Sequence, residues 1–359
     1  MRGDLGHSTP AQAGVARLIR PLLGVGISLV FVYLAIRNLS WPQIRDALAA
    51  VDLRYAPVAL ACLALGYAAR ITRWWIMLLP TRSTLLWRQA AAPYLISIAA
   101  NNVLPFRMGD IMRVFAFRGQ IGLEASRVAG TLLVERLLDL FALLAIFVLV
   151  LPFVPTSESA ERIASLARWA AACGGLAIIA LILVAVLERL VVRRLEAHPL
   201  TQAIPLAPKV LATVTSLSDT LRAIGRPSRI LSLCLLSAAA WLCEGGVFVV
   251  AARAAAVPLD VPGAFFSLAV ATLSTLLPSS PGYVGTFHFF AMQAALTFGA
   301  MPAAAAAFAI VVHFALWAPT TLAGALAFLA RGARRPRDWS IGLRPMKTDT
   351  LLPARFDDA

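Results

Sequence analysis

The sequence predicts an all-α polytopic membrane protein with about six transmembrane helices plus two re-entrant helical hairpins in inverted repeats, and three observations carry that reading. Of 359 residues, 60% are hydrophobic and only 14% charged, with a mean hydropathy of +0.80; soluble domains run to about 45–50% apolar and 25% charged. No Asp, Glu, Lys or Arg occurs between Val261 and Ala330, a stretch several times the roughly 20 residues that cross a bilayer. Two shorter apolar runs end in the same Pro/Gly breaker, Leu104-Pro105-Phe106-Arg107-Met108-Gly109 and Leu277-Pro278-Ser279-Ser280-Pro281-Gly282.

The elements follow in order. Arg17 and Arg20 precede an uncharged run from Pro21 to Ile36 with the outline of a signal peptide. The nearest small-x-small site, Ala47-Leu48-Ala49, lies well past its end, so an uncleaved first helix is expected. Further spans are expected at Tyr55 to Leu79, Val128 to Leu151, Trp169 to Leu187, Ile230 to Ala252 and Pro302 to Ala330. Between them, Pro93 to Leu104 and Phe265 to Leu277 would reach only about 20 Å as helices, against a hydrocarbon core of about 30 Å. They read as re-entrant arms, the second alternatively as an ordinary loop between spans.

The two breakers are offset by 173 residues, and the same offset carries Tyr55 to Leu79 onto 228–252 and Val128 to Leu151 onto 301–324. Agreement at the flanking spans makes an internal repeat the economical account. The expected organisation is a cytoplasmic N-terminal tail (1–16) and a transmembrane domain (17–330) of two repeats, about 17–151 and 169–330, before a basic cytoplasmic tail (331–359). With both termini inside, most Lys and Arg residues fall on the cytoplasmic side, leaving Arg37, Arg45, Arg54, Arg162, Arg168 and Arg253 outside. Three spans and one re-entrant element per half would put the halves in opposite orientations, as in many secondary transporters.

Composition also excludes functions. The net charge of +14 is better explained by this topology than by nucleic acid, which is not an expected partner. The only lysines are Lys209 and Lys347, and neither follows Gly, so no phosphate-binding loop can be written. Cys62, Cys173, Cys234 and Cys243 stand singly in apolar stretches and read as packing residues. No metal-ligand spacing and no nucleophile with its base is present. Neither a metal, a cofactor nor an enzymatic activity is expected.

Irregular backbone at membrane depth is tolerated only against protein or a wet cavity, so both breakers should line one. At the second, Ser280 and Pro281 suit the start of a new helix, whose N–H groups at Gly282 and Tyr283 would favour an anion. At the first, Asn101 and Asn102 precede, and Arg107, Asp110 and Arg113 follow. Guanidinium groups suit a phosphate; the plainer alternative is that Arg107, Arg113 and Arg118 form an interfacial helix touching anionic headgroups.

Glu135, Arg136 and Asp139 lie inside a span, where each costs roughly 2.5–3.5 kcal/mol if lipid-exposed. They must face inward. Arg136 is placed to pair with Asp139 three residues on, either as a structural pair or in a substrate or proton-relay role. Glu244 and His313 are also expected near mid-membrane, His313 as a packing residue or a proton carrier, and His288 follows the second breaker.

Taken together, Asn101 to Asp110, Glu135-Arg136-Leu137-Leu138-Asp139, and Leu277 to Phe287 with Pro281-Gly282-Tyr283-Val284-Gly285-Thr286-Phe287 resemble one family. It is the flippase-like membrane domain named for the transmembrane region of lysylphosphatidylglycerol synthases, and the resemblance runs from about Arg17 to Ala330. It implies a role in moving, or helping to make, lipids or lipid-linked intermediates. Two positions depart from its pattern, Asp110 and His288, where the family often carries Glu. The 29 residues after Ala330 are too few for an aminoacyl-transfer domain, so lysyl transfer is not expected.

The reading that results is a multi-pass protein of the bacterial inner membrane that flips an anionic lipid or polyprenyl-phosphate-linked intermediate. Asn101, Asn102, Arg107, Asp110, Arg113, Ser279, Ser280 and Gly282 would take the headgroup, and Glu135, Arg136, Asp139, Glu244 and His313 would hold or switch the cavity. The alternatives are an accessory protein that presents a lipid precursor to biosynthetic enzymes, and a membrane-embedded transferase. Expected partners are the membrane, an anionic lipid or lipid-linked phosphate, and lipid-biosynthesis enzymes.

Overall fold

A computed structural model of the chain describes residues 24–117, 121–155, 225–277 and 279–332, with isolated positions between 165 and 223. The expected span Trp169 to Leu187 but for two positions, the loop around Lys209, Arg118, the N-terminal tail and the C-terminal tail beyond Gly332 lie outside the described residues. Among the described residues the secondary structure is helical, without strands. Hydrocarbon demands this, because each backbone N–H and C=O must find a partner within its own segment.

Helix α1 (Gly24–Ile36) bends by 82° into α2 (Trp41–Ala49). The bend falls where Gln43 accepts the Ser40 N–H at 2.9 Å and Pro42 occupies the first turn, so a new helix starts instead of the old one continuing. Four helices then follow: α3 (Ala56–Leu78), α4 (Trp87–Val103), α5 (Met108–Phe115) and α6 (Ala125–Val150). Four more come after the residue-225 boundary: α7 (Pro227–Ala254), α8 (Val261–Ser274), α9 (Thr286–Thr297) and α10 (Pro302–Gly332). Of these α3, α6, α7 and α10 are long and apolar enough to cross a membrane, and the bent α1–α2 pair is a fifth candidate. Five of the six expected spans coincide with these four helices and the bent pair, and the sixth, Trp169 to Leu187, falls almost wholly outside the described residues.

Both short arms are present, each followed by a break and a second short helix packed back on it: α4 against α5, and α8 against α9. The first arm is longer than expected, since α4 begins at Trp87 and keeps Pro93 inside it. At 17 residues it still reaches only about 26 Å.

The order long, short, short, long occurs twice, in α3–α6 and in α7–α10. Contacts between α3 and α7 give their relative direction. The Asp52 N–H donates to the Ala254 carbonyl, Cys62 packs on Gly246, Gly66 on Cys243, and Arg73 bonds Ser237. Residue numbers rise along one helix as they fall along the other, so the two are antiparallel. Each short arm, moreover, packs along the long helix that closes the other set, α4 on α10 and α8 on α6.

Small residues hold α3 to α7, as between helices in lipid, where contact area and not water exclusion supplies the attraction. A Cβ on Gly66 would stand 3.2 Å from the Cys243 Cβ and 3.3 Å from the Ala240 carbonyl. Gly66→Leu is therefore expected to lower stability by about 1–3 kcal/mol through overpacking, seen as a lower unfolding temperature in detergent. The apolar core of the described residues falls into three clusters, one around Trp74 and Tyr94 mostly on α3 to α6, one around Phe248, Phe287 and Phe308 mostly on α7 to α10, and a smaller one around Phe147 and Phe266 where α6 meets α8. Leu65, Phe141, Leu149, Leu235 and Phe314 point outward on the long helices, as a lipid-facing surface requires.

Candidate functional site

The two breaks meet. After α4 the chain passes through Phe106 and Arg107, both left-handed (φ 58° and 51°), before α5 begins. After α8 it passes through a 3-10 turn, Pro281–Tyr283, in which Gly282 and Tyr283 are left-handed (φ 70° and 58°). The Arg107 Nε donates to the Tyr283 hydroxyl at 3.0 Å, joining the tips directly. Between them and α1 lies a cavity of about 310 Å³ lined by Asn101, Arg107, Ser279, Ser280, Gly282 and Tyr283 among apolar neighbours such as Leu104, Phe106 and Val25. Helix α1 closes one side, its Ser28 hydroxyl accepting the Ser280 N–H at 2.8 Å.

Each tip is braced from behind. Asn102 donates to Thr320 and Thr321 on α10 (3.1 and 2.9 Å), while the Trp317 Nε1 donates back to the Asn102 carbonyl at 3.2 Å. His313 Nε2 lies 2.8 Å from the Gly282 carbonyl and so carries a proton on that nitrogen. The His313 ring stands 4.5 Å, centre to centre, from His288, whose Nδ1 accepts the Gly285 N–H at 3.3 Å. His288 is thereby a neutral imidazole with its proton on Nε2.

Behind the first tip lies a chain of ion pairs. Arg136 binds Asp110 at 2.8 Å, Arg113 binds Glu135 at 3.2 Å, Arg73 binds Asp139 at 2.7 Å and Arg70 binds Glu244 at 2.6 Å. Asn101 and Asp110 exchange hydrogen bonds across the break, Tyr94 donates to Glu135, and Trp241 to Asp139. The guanidinium of Arg113 sits over the rings of Trp74 and Tyr94, 5.0 and 4.7 Å from their centres. Taken pairwise, the four arginines and four carboxylates cancel. Such a cluster is tolerated away from water only because each charge has a partner; hydrogen bonding is incomplete even so, with Arg73 Nε and Nη2 and Arg113 Nε buried and without a hydrogen-bond partner among the described residues. Arg107, by contrast, has no carboxylate partner among the described residues.

The expected site residues thus separate into two groups. Asn101, Arg107, Ser279, Ser280 and Gly282 line the cavity. Asp110, Arg113, Glu135, Arg136, Asp139 and Glu244 belong to the ion-pair cluster, and Asn102 and His313 brace the tips. Arg113, expected at the headgroup, is fully buried against Glu135 and two rings, because the turn of α5 points it away from the break. Arg136 pairs with Asp110 and not with Asp139, which Arg73 reaches first across the interface. No α-helix starts at Pro281. The short 3-10 turn there lacks an aligned dipole, and its Tyr283 N–H is already bonded to the Ser280 carbonyl at 3.0 Å, so the helix-terminus anion seat is not built.

The sequence does not mark the side chains of Arg70, Arg73, Tyr283 or Trp317, Tyr283 entering only through its backbone N–H. Arg70 and Arg73 carry the same insertion cost as Glu135 and Asp139, and balancing the charges across spans would have paired them. Tyr283 carries no such signal.

The fold and site define a polytopic helical membrane protein in which two broken helical hairpins meet at a small cavity with Arg107 in its wall. The profile of the lysylphosphatidylglycerol synthase TM region matches residues 22–324, and the chain belongs to that family. No curated protein matches it. Family and fold together give a membrane lipid-related role.

Proposed function

We propose that this protein flips an anionic lipid, or a polyprenyl-phosphate-linked intermediate, across the cytoplasmic membrane. The observation that carries the reading is the meeting of the two tips at a cavity whose wall, among the described residues, holds one cation without a carboxylate partner, Arg107. Asn101, whose Nδ2 has a second N–H beyond the one given to Asp110, and Ser279, whose buried hydroxyl has no hydrogen-bond partner among the described residues, add neutral donors beside it, suited to phosphate oxygens; Ser280 gives its N–H to Ser28 and its hydroxyl to the Val284 carbonyl and shapes the wall instead. The buried ion pairs hold the first hairpin in place and present no net charge. At about 310 Å³ the cavity suits a headgroup, while the tails stay in the bilayer.

The antiparallel run of α3 and α7, with the exchanged packing of α4 and α8, supports two inverted repeats with one re-entrant hairpin each, opening to opposite sides. Both termini are then cytoplasmic. Single cysteines at Pro155 and Ser228, exposed positions at the end of α6 and the start of α7, test this in a background without native cysteines. An impermeant thiol reagent added to intact cells should label Pro155→Cys only; labelling of both would overturn the inverted arrangement.

The deciding experiment is transbilayer movement of labelled phosphatidylglycerol, its aminoacylated form and a polyprenyl phosphate in proteoliposomes. Protein-dependent movement of one of them supports a translocase. Binding without movement by folded protein supports instead an accessory role in presenting a lipid precursor to a biosynthetic enzyme.

A further inference from the structure

We infer that Tyr283 is a latch that competes with the anionic ligand for Arg107, so that headgroup binding and separation of the two tips are linked events. The inference rests on the cavity being the headgroup site. Arg107 presents its Nε edge to the Tyr283 hydroxyl at 3.0 Å, the side-chain hydrogen bond that joins one tip to the other. A guanidinium holds a phosphate best through two parallel N–H bonds from one edge, and the edge made by Nε and a neighbouring Nη is one of its forks. A phosphate seated on that edge must displace the phenol.

The backbone is arranged to use that release. Among the described residues, four non-glycine positions have positive φ, and three of them, Phe106, Arg107 and Tyr283, are at the tips. A side chain in the left-handed region is less stable than in the right-handed one, and such residues persist only where their surroundings hold them. Beside the braces behind each tip, the Arg107–Tyr283 bond is the contact that holds the two left-handed pairs to one another, aided by the guanidinium lying 5.9 Å from the centre of the tyrosine ring. Losing the bond removes one holding contact from both left-handed pairs at once. Because coupling is reciprocal, weakening the latch must also strengthen anion binding.

The test uses Tyr283→Phe, which keeps the ring and removes the hydroxyl, with spin labels at Phe106→Cys and Val284→Cys, both exposed, in the full chain without native cysteines. Binding is measured in detergent with dihexanoyl phosphatidylglycerol and, separately, inorganic phosphate. Tyr283→Phe should bind about fivefold tighter, the size of one net hydrogen bond, and should show a longer inter-tip distance before ligand is added. In the otherwise native protein the distance should lengthen on saturation, and the probe that does this identifies lipid headgroup or free phosphate as the source. Unchanged or weaker affinity in Tyr283→Phe would mean that phosphate takes another edge of the guanidinium, and would overturn the latch. If neither probe binds, it is the headgroup site that fails and the linkage falls with it; a longer distance in Tyr283→Phe would then show only that the bond holds the tips together, and an unchanged one that it does not.

Discussion

Replacing Arg113 with leucine while Glu135 stays in place is expected to lower stability by about 3–5 kcal/mol, the cost of leaving one member of a buried pair uncompensated. Glu135 is almost completely buried, and its oxygens are shared by Arg113, Tyr94 and, at 3.9 Å, Arg73. Without Arg113 that carboxylate keeps a phenol and one distant guanidinium. The hairpin loses more than a charge, because the guanidinium also packs on the rings of Trp74 and Tyr94. The double variant Arg113→Leu with Glu135→Leu removes both charges and should recover most of the loss, since a buried pair replaced by apolar groups is often neutral or better. Thermal unfolding in detergent reads both, and equal damage in single and double variants would show that ring packing outweighs the pair. Loss of lipid movement in Arg113→Leu alone therefore reports a collapsed hairpin, and says nothing of headgroup contact.

The sequence made the helices and the breaks legible because hydrocarbon leaves few solutions. A long uncharged run must be helical, and a run too short to cross must turn back inside protein. It also showed that Glu135, Arg136 and Asp139 face inward, since the cost of lipid exposure is large for any of them. Pairing was less legible. Arg136 and Asp139 stand at a spacing that allows a contact, yet Arg73 and Asp110 supply shorter ones from other helices. Spacing along one helix cannot weigh a partner on another until the helices are placed. Arg113 illustrates the same limit, because its distance from the break is a few residues whereas its direction depends on the left-handed Phe106 and Arg107. The 3-10 turn at Pro281 had no warning in composition, as Ser280-Pro281 suits either kind of helix start.

Arg107→Ala is the substitution that separates site from scaffold. Arg107 is partly exposed, has a phenol and no carboxylate as its partner, and lines the cavity, so its loss leaves no buried charge behind. Unfolding temperature should change little, by contrast with Arg113→Leu. Lipid movement should fall about 30–100-fold, the effect of losing a charge-assisted contact worth about 2–3 kcal/mol. Arg107→Lys should recover only part of it, because an ammonium keeps the charge and gives up the planar fork. Movement measured in proteoliposomes with matched protein density checks all three. Should Arg107→Ala move lipid at the native rate while folded, the cavity between the tips is not where the headgroup sits, and the ion-pair cluster becomes the next place to look for the path. The neutral balance of that cluster argues against it: with Asp110, Glu135, Asp139 and Glu244 each matched to an arginine, an anion entering there would have to break a pair before it could gain one.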